Sequence, residues 1–283
     1  MNEINEITAF GTTVQLVWQP IALVTDGNKR TLCEENRFYL DVPEVAKYLV
    51  LPDTNSIVIE KASPDISFEV IATWLLGTVF AYVLQHCGYL VLHGSAIIMD
   101  GRAVIFSGDS GAGKSTLAAS MVKRGYSLIT DDVVVVDKSS SGRMLIIPGP
   151  AKIKLWEDAL LQLNHDASGL TRILNKKNKF ELPIANHGGT GIEIASFYEL
   201  NAAQDTKQIE CQPLHDMNKL NCLIKNTYRY NMLKPLKKSH EHLNECSKLA
   251  KQIKMYKITR PKDEYLLDEL IQVIEHNKHN LIS

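Results

Sequence analysis

The feature that most constrains this chain is the segment Gly108–Ser115, GDSGAGKS, which matches the pattern GxxxxGKS in full. Glycines at these positions let the backbone curl so that its N–H groups point inward at phosphate. The pattern has this meaning only between a strand and a helix. Here the apolar run AVIFS precedes the loop, and an amphipathic stretch from Lys114 to Arg124 follows it. We therefore expect an α/β fold with a phosphate-binding loop (P-loop), rather than a glycine-rich turn that only resembles one.

The loop also predicts the ligands. Lys114 supplies a catalytic point charge on the β- and γ-phosphates, and the hydroxyl of Ser115 binds Mg²⁺, so the expected cofactors are ATP and Mg²⁺. The helix that starts at the loop adds the favourable end of its dipole. The residues expected to contact the nucleotide are Gly108, Asp109, Ser110, Gly111, Ala112, Gly113, Lys114, Ser115 and Thr116.

Two adjacent carboxylates, Asp131 and Asp132, follow the loop closely. The helix after the loop is roughly 16 Å long, and the short strand YSLIT returns a similar distance, so both carboxylates come back to the phosphate edge of the sheet. Neighbours in an extended segment point to opposite sides. One carboxylate can then approach Mg²⁺ beside Ser115 while the other faces an acceptor hydroxyl. The alternative is that Asp131 only caps a turn.

A hairpin brings His93 to the same place. Asp100-Gly101 between two β-rich runs predicts a type I′ turn, in which Ile98 and Met99 face Arg102 and Ala103. Counting back from this turn puts His93 opposite about Gly108. A lone histidine is most often structural, but this position also suits a role in proton handling.

The first 65 residues alternate short apolar runs with turn residues and predict a small β-rich region. A helix should start with Ser63 or Asp65 as its cap and continue to about His86. Its run Ile71–Leu84 is too short to span a bilayer, which needs about 20 residues, so we expect a buried helix. The predicted domains are residues 1–86 and 87–283. Further helices are expected at about 155–163, 215–226, 239–253 and 263–277.

Bulk properties favour a globular cytoplasmic protein. Of the 283 residues, 45% are apolar and 22% charged, and the net charge of −1 offers no basic field for nucleic acid or an anionic membrane. Five cysteines with no CxxC pair indicate reduced thiols. The N-terminus lacks the features of a signal peptide. The segment His240–Cys246, HEHLNEC, fits a surface helix better than a zinc site.

The stretch Leu92–Asp132 resembles the C-terminal catalytic domain of HPr kinase/phosphorylase, with its histidine-glycine, hairpin, P-loop and Asp-Asp pair in the same order. The resemblance implies a P-loop kinase fold of that type and phosphate transfer to a serine hydroxyl on a protein. It implies that Asp131 is the catalytic carboxylate, Asp132 the metal-proximal one and His93 a catalytic helper. It also makes a homo-oligomer an expectation.

The sequence departs from that family in two motifs, and these departures reduce the range of expected substrates. The chain lacks an E-x-RG-x-G signature and a later loop rich in Arg and Asn, so HPr is not the expected substrate, and phosphorylase activity is not expected. The chain is more similar to HPr-kinase-like proteins of peptide natural-product clusters, including lasso peptide precursor kinases. The expected function is an ATP-dependent kinase acting on a serine of a peptide or protein, such as a lasso-type precursor. The alternatives are a small-molecule hydroxyl kinase and a non-catalytic nucleotide-binding protein of a peptide-processing complex.

Other residues could complete the site. A further cation would stabilise the transferred phosphoryl group, and the candidates are Lys152, Lys154, Arg172 and Arg229, each of which is as easily explained as a surface charge. The glycine-rich segment Asn186–Gly191, NHGGTG, is either a substrate loop or a plain turn before the strand IEIASFYEL.

Overall fold

A computed structural model of the chain describes residues 4–22, 29–150, 152–157, 160, 170–172, 179–183, 191–262 and 266–278. Across these residues the fold is mixed α/β, with a β-rich N-terminal region followed by a second sheet that carries the phosphate loop. This is the fold class that the sequence predicts.

The N-terminal region forms one sheet with the strand order β1-β2-β6-β5-β4-β3. Its strands are β1 (Ile4–Ala9), β2 (Thr12–Trp18), β3 (Thr31–Cys33), β4 (Phe38–Val42), β5 (Ala46–Leu51) and β6 (Ser56–Lys61). Period-two alternation explains the sheet: in β2, Val14 and Leu16 point into the core while their neighbours stay more exposed. The sequence did not predict β1, in which three of the six residues are polar and which pairs antiparallel with β2.

One long helical segment packs against this sheet. It consists of α1 (Phe68–Trp74), a π-helical turn (Leu75–Val79) and α2 (Phe80–His86). The predicted caps Ser63 and Asp65 are wrong, because the helix starts after Ser67, whose side chain makes no capping hydrogen bond. By length and composition the segment could cross a membrane, but 67% of its most apolar window is buried inside the fold. Its apolar character is therefore explained by a core that also contains Val91, Val133 and Val135 of the second sheet.

The second sheet has the strand order β10-β9-β7-β8-β14-β16-β15. Its strands are β7 (Leu90–Met99), β8 (Arg102–Gly108), β9 (Ser127–Lys138), β10 (Met144–Ile147), β14 (Ile192–Ala203), β15 (Glu210–Pro213) and β16 (Lys254–Pro261). Because β8, β14 and β16 run parallel, their carboxyl ends meet at the edge where the phosphate loop begins. This edge is where ligands bind in open α/β sheets.

The β7–β8 hairpin agrees with its prediction. Asp100 and Gly101 have φ values of 51° and 76°, as a type I′ turn requires. Met99 faces Arg102 and the register continues to Gly94 opposite Ser107, which leaves His93 at the level of Gly108.

The return from the phosphate loop differs from its prediction. Instead of two strands separated by the acidic pair, a single strand, β9, carries both aspartates and pairs with β7 from Ser127 to Val136. The ladder to β7 continues through the pair, although Asp132 takes a left-handed conformation with a φ of 73°. The predicted hairpin around KSSSG is present between β9 and β10.

The remaining elements cover the two faces of the second sheet. A three-stranded sheet contains β11 (Lys152–Trp156), β12 (Thr171–Arg172) and β13 (Lys179–Pro183). The helices are α3 (Lys114–Lys123), α4 (Asp216–Lys225), α5 (Ser239–Gln252) and α6 (Leu267–Lys278). One core joins α3, α6 and β11 on one face, and another joins α4 and α5 on the other.

Two expectations on these elements need correction. The helix expected at about 155–163 begins later than predicted, because residues 155 and 156 belong to β11, whose backbone pairs with β13; Glu157 and Leu160 are helical, and the other positions lie outside the described residues. The segment HEHLNEC is helical, but it does not lie wholly on the surface, since His242 and Cys246 are buried.

Candidate active site

The phosphate loop joins β8 to α3, and its glycines are required by geometry. Gly108, Gly111 and Gly113 have φ values of 135°, 85° and 98°, which residues with a side chain rarely adopt. At Gly108 a Cβ would also lie 2.3 Å from the carbonyl oxygen of Leu200 on β14. The loop tip at Asp109, Ser110 and Gly111 is exposed, so it is open to a ligand.

Lys114 at the start of α3 reaches back over the loop. Its Nζ donates to the carbonyl oxygens of Gly108 at 2.9 Å and Asp109 at 3.0 Å, and the residue is only 7% exposed. The ammonium group therefore sits beside the backbone that would surround a phosphate. Ser115 and Thr116 follow in the first turn of α3.

Asp131 lies behind the loop in a buried position. Its Oδ1 accepts hydrogen bonds from Ser95 at 2.5 Å and from Ser115 at 2.9 Å, while its Oδ2 accepts one from the backbone N–H of Lys154 at 2.9 Å. Burial raises the pKa of this carboxyl group, and the bonds from Ser95 and Lys154 act in the opposite direction. The contact to Ser115 puts Asp131 next to the hydroxyl expected to bind Mg²⁺.

Asp132 faces the more open side of the site. Lys154 Nζ donates to its Oδ2 at 2.8 Å, and His93 Nδ1 lies 3.5 Å from its Oδ1. The Asp132 side chain is 21% exposed, so it can be reached by a substrate. The carboxylate is thus held by a cation and an imidazole beside the phosphate loop.

The sequence predicts that the two carboxylates face opposite sides of the strand, and this prediction is wrong. Ser95, which contacts Asp131, and His93, which contacts Asp132, are two residues apart on β7 and so share one face. The left-handed backbone of Asp132 turns both carboxylates toward this face. A positive φ at a non-glycine residue costs of order 1–3 kcal/mol and is often found at functional sites.

His93 also bonds to the backbone. Its Nδ1 lies 3.0 Å from the carbonyl oxygen of Asp132, which assigns the proton to Nδ1 and leaves Nε2 as an acceptor. Burial and the charge of Lys114 lower the pKa of His93. The imidazole is therefore neutral at pH 7, and its ring packs against Tyr228 at 5.6 Å between centroids.

The segment after α4 and the π-helical turn form the outer wall of the site. A Cβ on Gly77 would lie 3.5 Å from the Tyr228 hydroxyl and 3.9 Å from Lys154 Nζ, so these two groups meet at the turn. Arg229 lies over the Tyr228 ring and donates to Thr78 at 3.0 Å. π-helical turns are frequent at functional sites.

Of the four expected cations, the structure brings Lys154 into direct contact with the acidic pair. Arg229 is held one step further out by Thr78, and Lys152 lies two residues before Lys154 on β11. The side chain of Arg172 and residues 186–190 of the glycine-rich segment lie outside the described residues.

Sequence reasoning missed several residues of the site. Ser95 lies two residues after His93 on β7. Since side chains alternate between the two faces of a strand, the two residues share a face, and this alternation could have revealed Ser95. Tyr228 and the pair Glu199–Lys225 give no comparable signal, because they reach the site only through the packing of β14 and α4.

The residues present fit a magnesium ion. Ser115 and Asp131 offer a hydroxyl and a carboxylate oxygen 2.9 Å apart, and Mg²⁺ prefers oxygen ligands and commonly takes only one or two from the protein. Among the described residues there is no cluster of three or more His, Cys, Asp or Glu side chains that could hold a metal ion.

Fold and site together define the class, a P-loop protein with an acidic pair at the phosphate edge of its sheet. Residues 86–154 match the family model of the HPr Serine kinase C-terminal domain. This segment, which contains the hairpin, the phosphate loop, both aspartates and Lys154, is therefore HPr-kinase-like.

The relation to solved structures is more distant. The Hpr(Ser) kinase/phosphatase from Coxiella burnetii is similar to this chain, with 13% sequence identity and a TM-score of 0.36 over 68% of this chain and 97% of that chain. No curated protein sequence matches the chain.

Proposed function

We propose that this protein is an ATP-dependent kinase that transfers the γ-phosphate to a serine hydroxyl of a peptide or protein in the cytoplasm. A lasso-type precursor peptide is the candidate substrate. The observation that carries the proposal is the arrangement of Asp132, His93 and Lys154 beside a phosphate loop whose Ser115 contacts Asp131. A nucleotide-binding protein without catalysis has no need for a second carboxylate held in this way.

The contacts favour roles for the aspartates that are the reverse of those implied by the family resemblance. Asp131 is buried against Ser115, so we assign it to the metal. Asp132 is the more accessible carboxylate, so we assign it to the acceptor hydroxyl. When bound, Mg²⁺ neutralises phosphate charge, and Ser115 and Asp131 are the residues that would hold it.

In the proposed reaction the acceptor serine oxygen forms a bond to the γ-phosphorus, and the bond from this phosphorus to the β-phosphate oxygen breaks. Asp132 orients the hydroxyl and takes its proton. Cleavage of the bond to the β-phosphate oxygen releases ADP. Lys154 holds Asp132 in position, and Lys114 offsets the charge on the leaving phosphates. The neutral His93, with Nε2 as acceptor, keeps Asp132 oriented through its Nδ1 contacts.

The test compares two aspartate variants. Wild type and each variant are incubated with Mg·ATP and a panel of serine-containing peptides, HPr and small alcohols, and mass spectrometry detects the gain of one phosphate. Asp132→Asn should lower kcat by about 10²–10⁴-fold, as expected for the loss of a general base, without changing the Mg²⁺ dependence. Asp131→Asn should raise the Mg²⁺ concentration for half-maximal activity by at least about tenfold.

A matched control is Asp137→Asn, which removes a carboxylate further along β9, where it bonds to the backbone of Lys138. It should behave as wild type. Phosphorylation of the small alcohols but of no peptide or protein would indicate a small-molecule hydroxyl kinase instead. If the protein binds ATP but phosphorylates nothing in the panel or in a library of natural precursor peptides, the non-catalytic alternative is favoured.

A further inference from the structure

The phosphate loop of this chain carries a negative charge at its own rim. Asp109 is the second residue of the loop, and its side chain is 78% exposed. A carboxylate at this position repels the polyphosphate that the loop is proposed to bind. A nearby cation would offset this charge, and Lys114 Nζ donates to the backbone carbonyl oxygen of Asp109.

Lys225, the last residue of α4, reaches the rim from the opposite face of the sheet. Its Nζ lies 3.9 Å from Asp109 Oδ1 and 3.0 Å from Glu199 Oε1. The Lys225 side chain is 55% exposed, so it remains accessible to a ligand. The hydrogen bond to Glu199 raises the pKa of Lys225, and the ammonium group therefore stays charged at neutral pH.

Glu199 fixes this lysine in place. It lies on β14 opposite Ser107, one residue before the loop, and its side chain is only 9% exposed. Asn226 Nδ2 donates to the same Oε1 at 3.2 Å, and the carbonyl oxygen of Asn226 accepts from the backbone N–H of His93. A buried carboxylate held from two sides is a firmer support than an exposed ion pair, which contributes little.

Lys225 lies closer to Glu199 than to Asp109. The contact to Glu199 is a hydrogen bond, whereas the separation from Asp109 exceeds hydrogen-bond distance. Lys225 is thus anchored on its inner side and only loosely engaged on the side that faces the loop. A phosphate oxygen at the rim could take the place of the Asp109 carboxylate without disturbing the anchor.

We propose that Lys225, positioned by Glu199, binds the terminal phosphates of a nucleoside triphosphate and offsets the charge of Asp109 at the loop rim. This inference rests on the proposed nucleotide-binding function. It adds a cation from α4 to those expected from the loop and β11.

The test measures the affinities of ATP and ADP for the full chain by isothermal titration calorimetry in the presence of Mg²⁺. Lys225→Met should weaken ATP binding by about tenfold or more, as for loss of a charge-assisted hydrogen bond, and should weaken ADP binding less. Lys225→Arg should recover most of the loss. The matched control, Lys251→Met on the exposed face of α5, should bind both nucleotides as wild type does.

A double variant separates phosphate contact from charge compensation. If Lys225 does both, Asp109→Asn in the Lys225→Met background should restore ADP binding while part of the loss of ATP binding remains. ATP binding by Lys225→Met within twofold of wild type would overturn the inference and leave the proposed function intact. An equal loss in Lys225→Met and Lys225→Arg, with lowered thermal stability in both, would show a purely structural role and overturn it too. Absence of ATP binding by the wild type would overturn both proposals.

Discussion

Replacing Gly108 by alanine should destabilise the fold and the phosphate loop together. The added Cβ would lie 2.3 Å from the Leu200 carbonyl oxygen, 3.2 Å from its carbon and 3.3 Å from its nitrogen. These are backbone atoms of β14, so no side chain can rotate away. The φ of 135° adds strain, because only glycine adopts it readily.

The two costs can be estimated separately. A strained backbone conformation costs about 1–3 kcal/mol, and overpacking costs about 1–3 kcal/mol more, so we expect a loss of about 2–6 kcal/mol in the free energy of unfolding. Gly101→Ala is the matched control. Gly101 has a φ of 76° but no atom within 4 Å of an added Cβ, so it should show only a cost of about 1 kcal/mol for the backbone.

Urea denaturation followed by circular dichroism gives both free energies, and titration with ATP tests the loop. Gly108→Ala should also bind ATP more weakly than Gly101→Ala, because relief of the overlap moves β8 away from β14. If the two variants lost the same free energy of unfolding, the close approach of β14 would not constrain Gly108 and the reasoning would be wrong.

Two further predictions concern charge at the site. Burial lowers the pKa of both His93 and His242, so each takes up a proton more readily in the unfolded chain, and the contribution of each histidine to the free energy of unfolding should fall as the pH drops below about 6.5. Urea denaturation at pH 5.5 and 7.5 measures this fall, which His242→Gln should reduce; an unchanged pH dependence would contradict the assignment. Lys154→Met should lower kcat about tenfold at saturating ATP because Asp132 loses its ion pair, whereas the exposed Lys138→Met should not. If Lys154→Met and Lys138→Met had equal kcat values, Lys154 would have no role in the mechanism.

Local patterns determined much of this protein. The spacing GxxxxGKS between a strand and a helix, the Asp100-Gly101 turn and the period-two runs of the N-terminal region each depend on residues close in sequence. Such patterns act through backbone geometry, so they predicted the fold class, the hairpin register and the positions of α3 and His93. The sequence by itself also singled out Asp131 and Asp132.

Tertiary structure decided what the local patterns could not. Both aspartates belong to one continuous strand because β7 pairs along it, and only the left-handed backbone of Asp132 turns both carboxylates to one face. Tyr228 reaches His93, and Glu199 and Lys225 reach the loop, through the packing of α4 against β14, across long stretches of chain. Contacts between residues far apart in sequence depend on how whole elements pack, and no short motif encodes them.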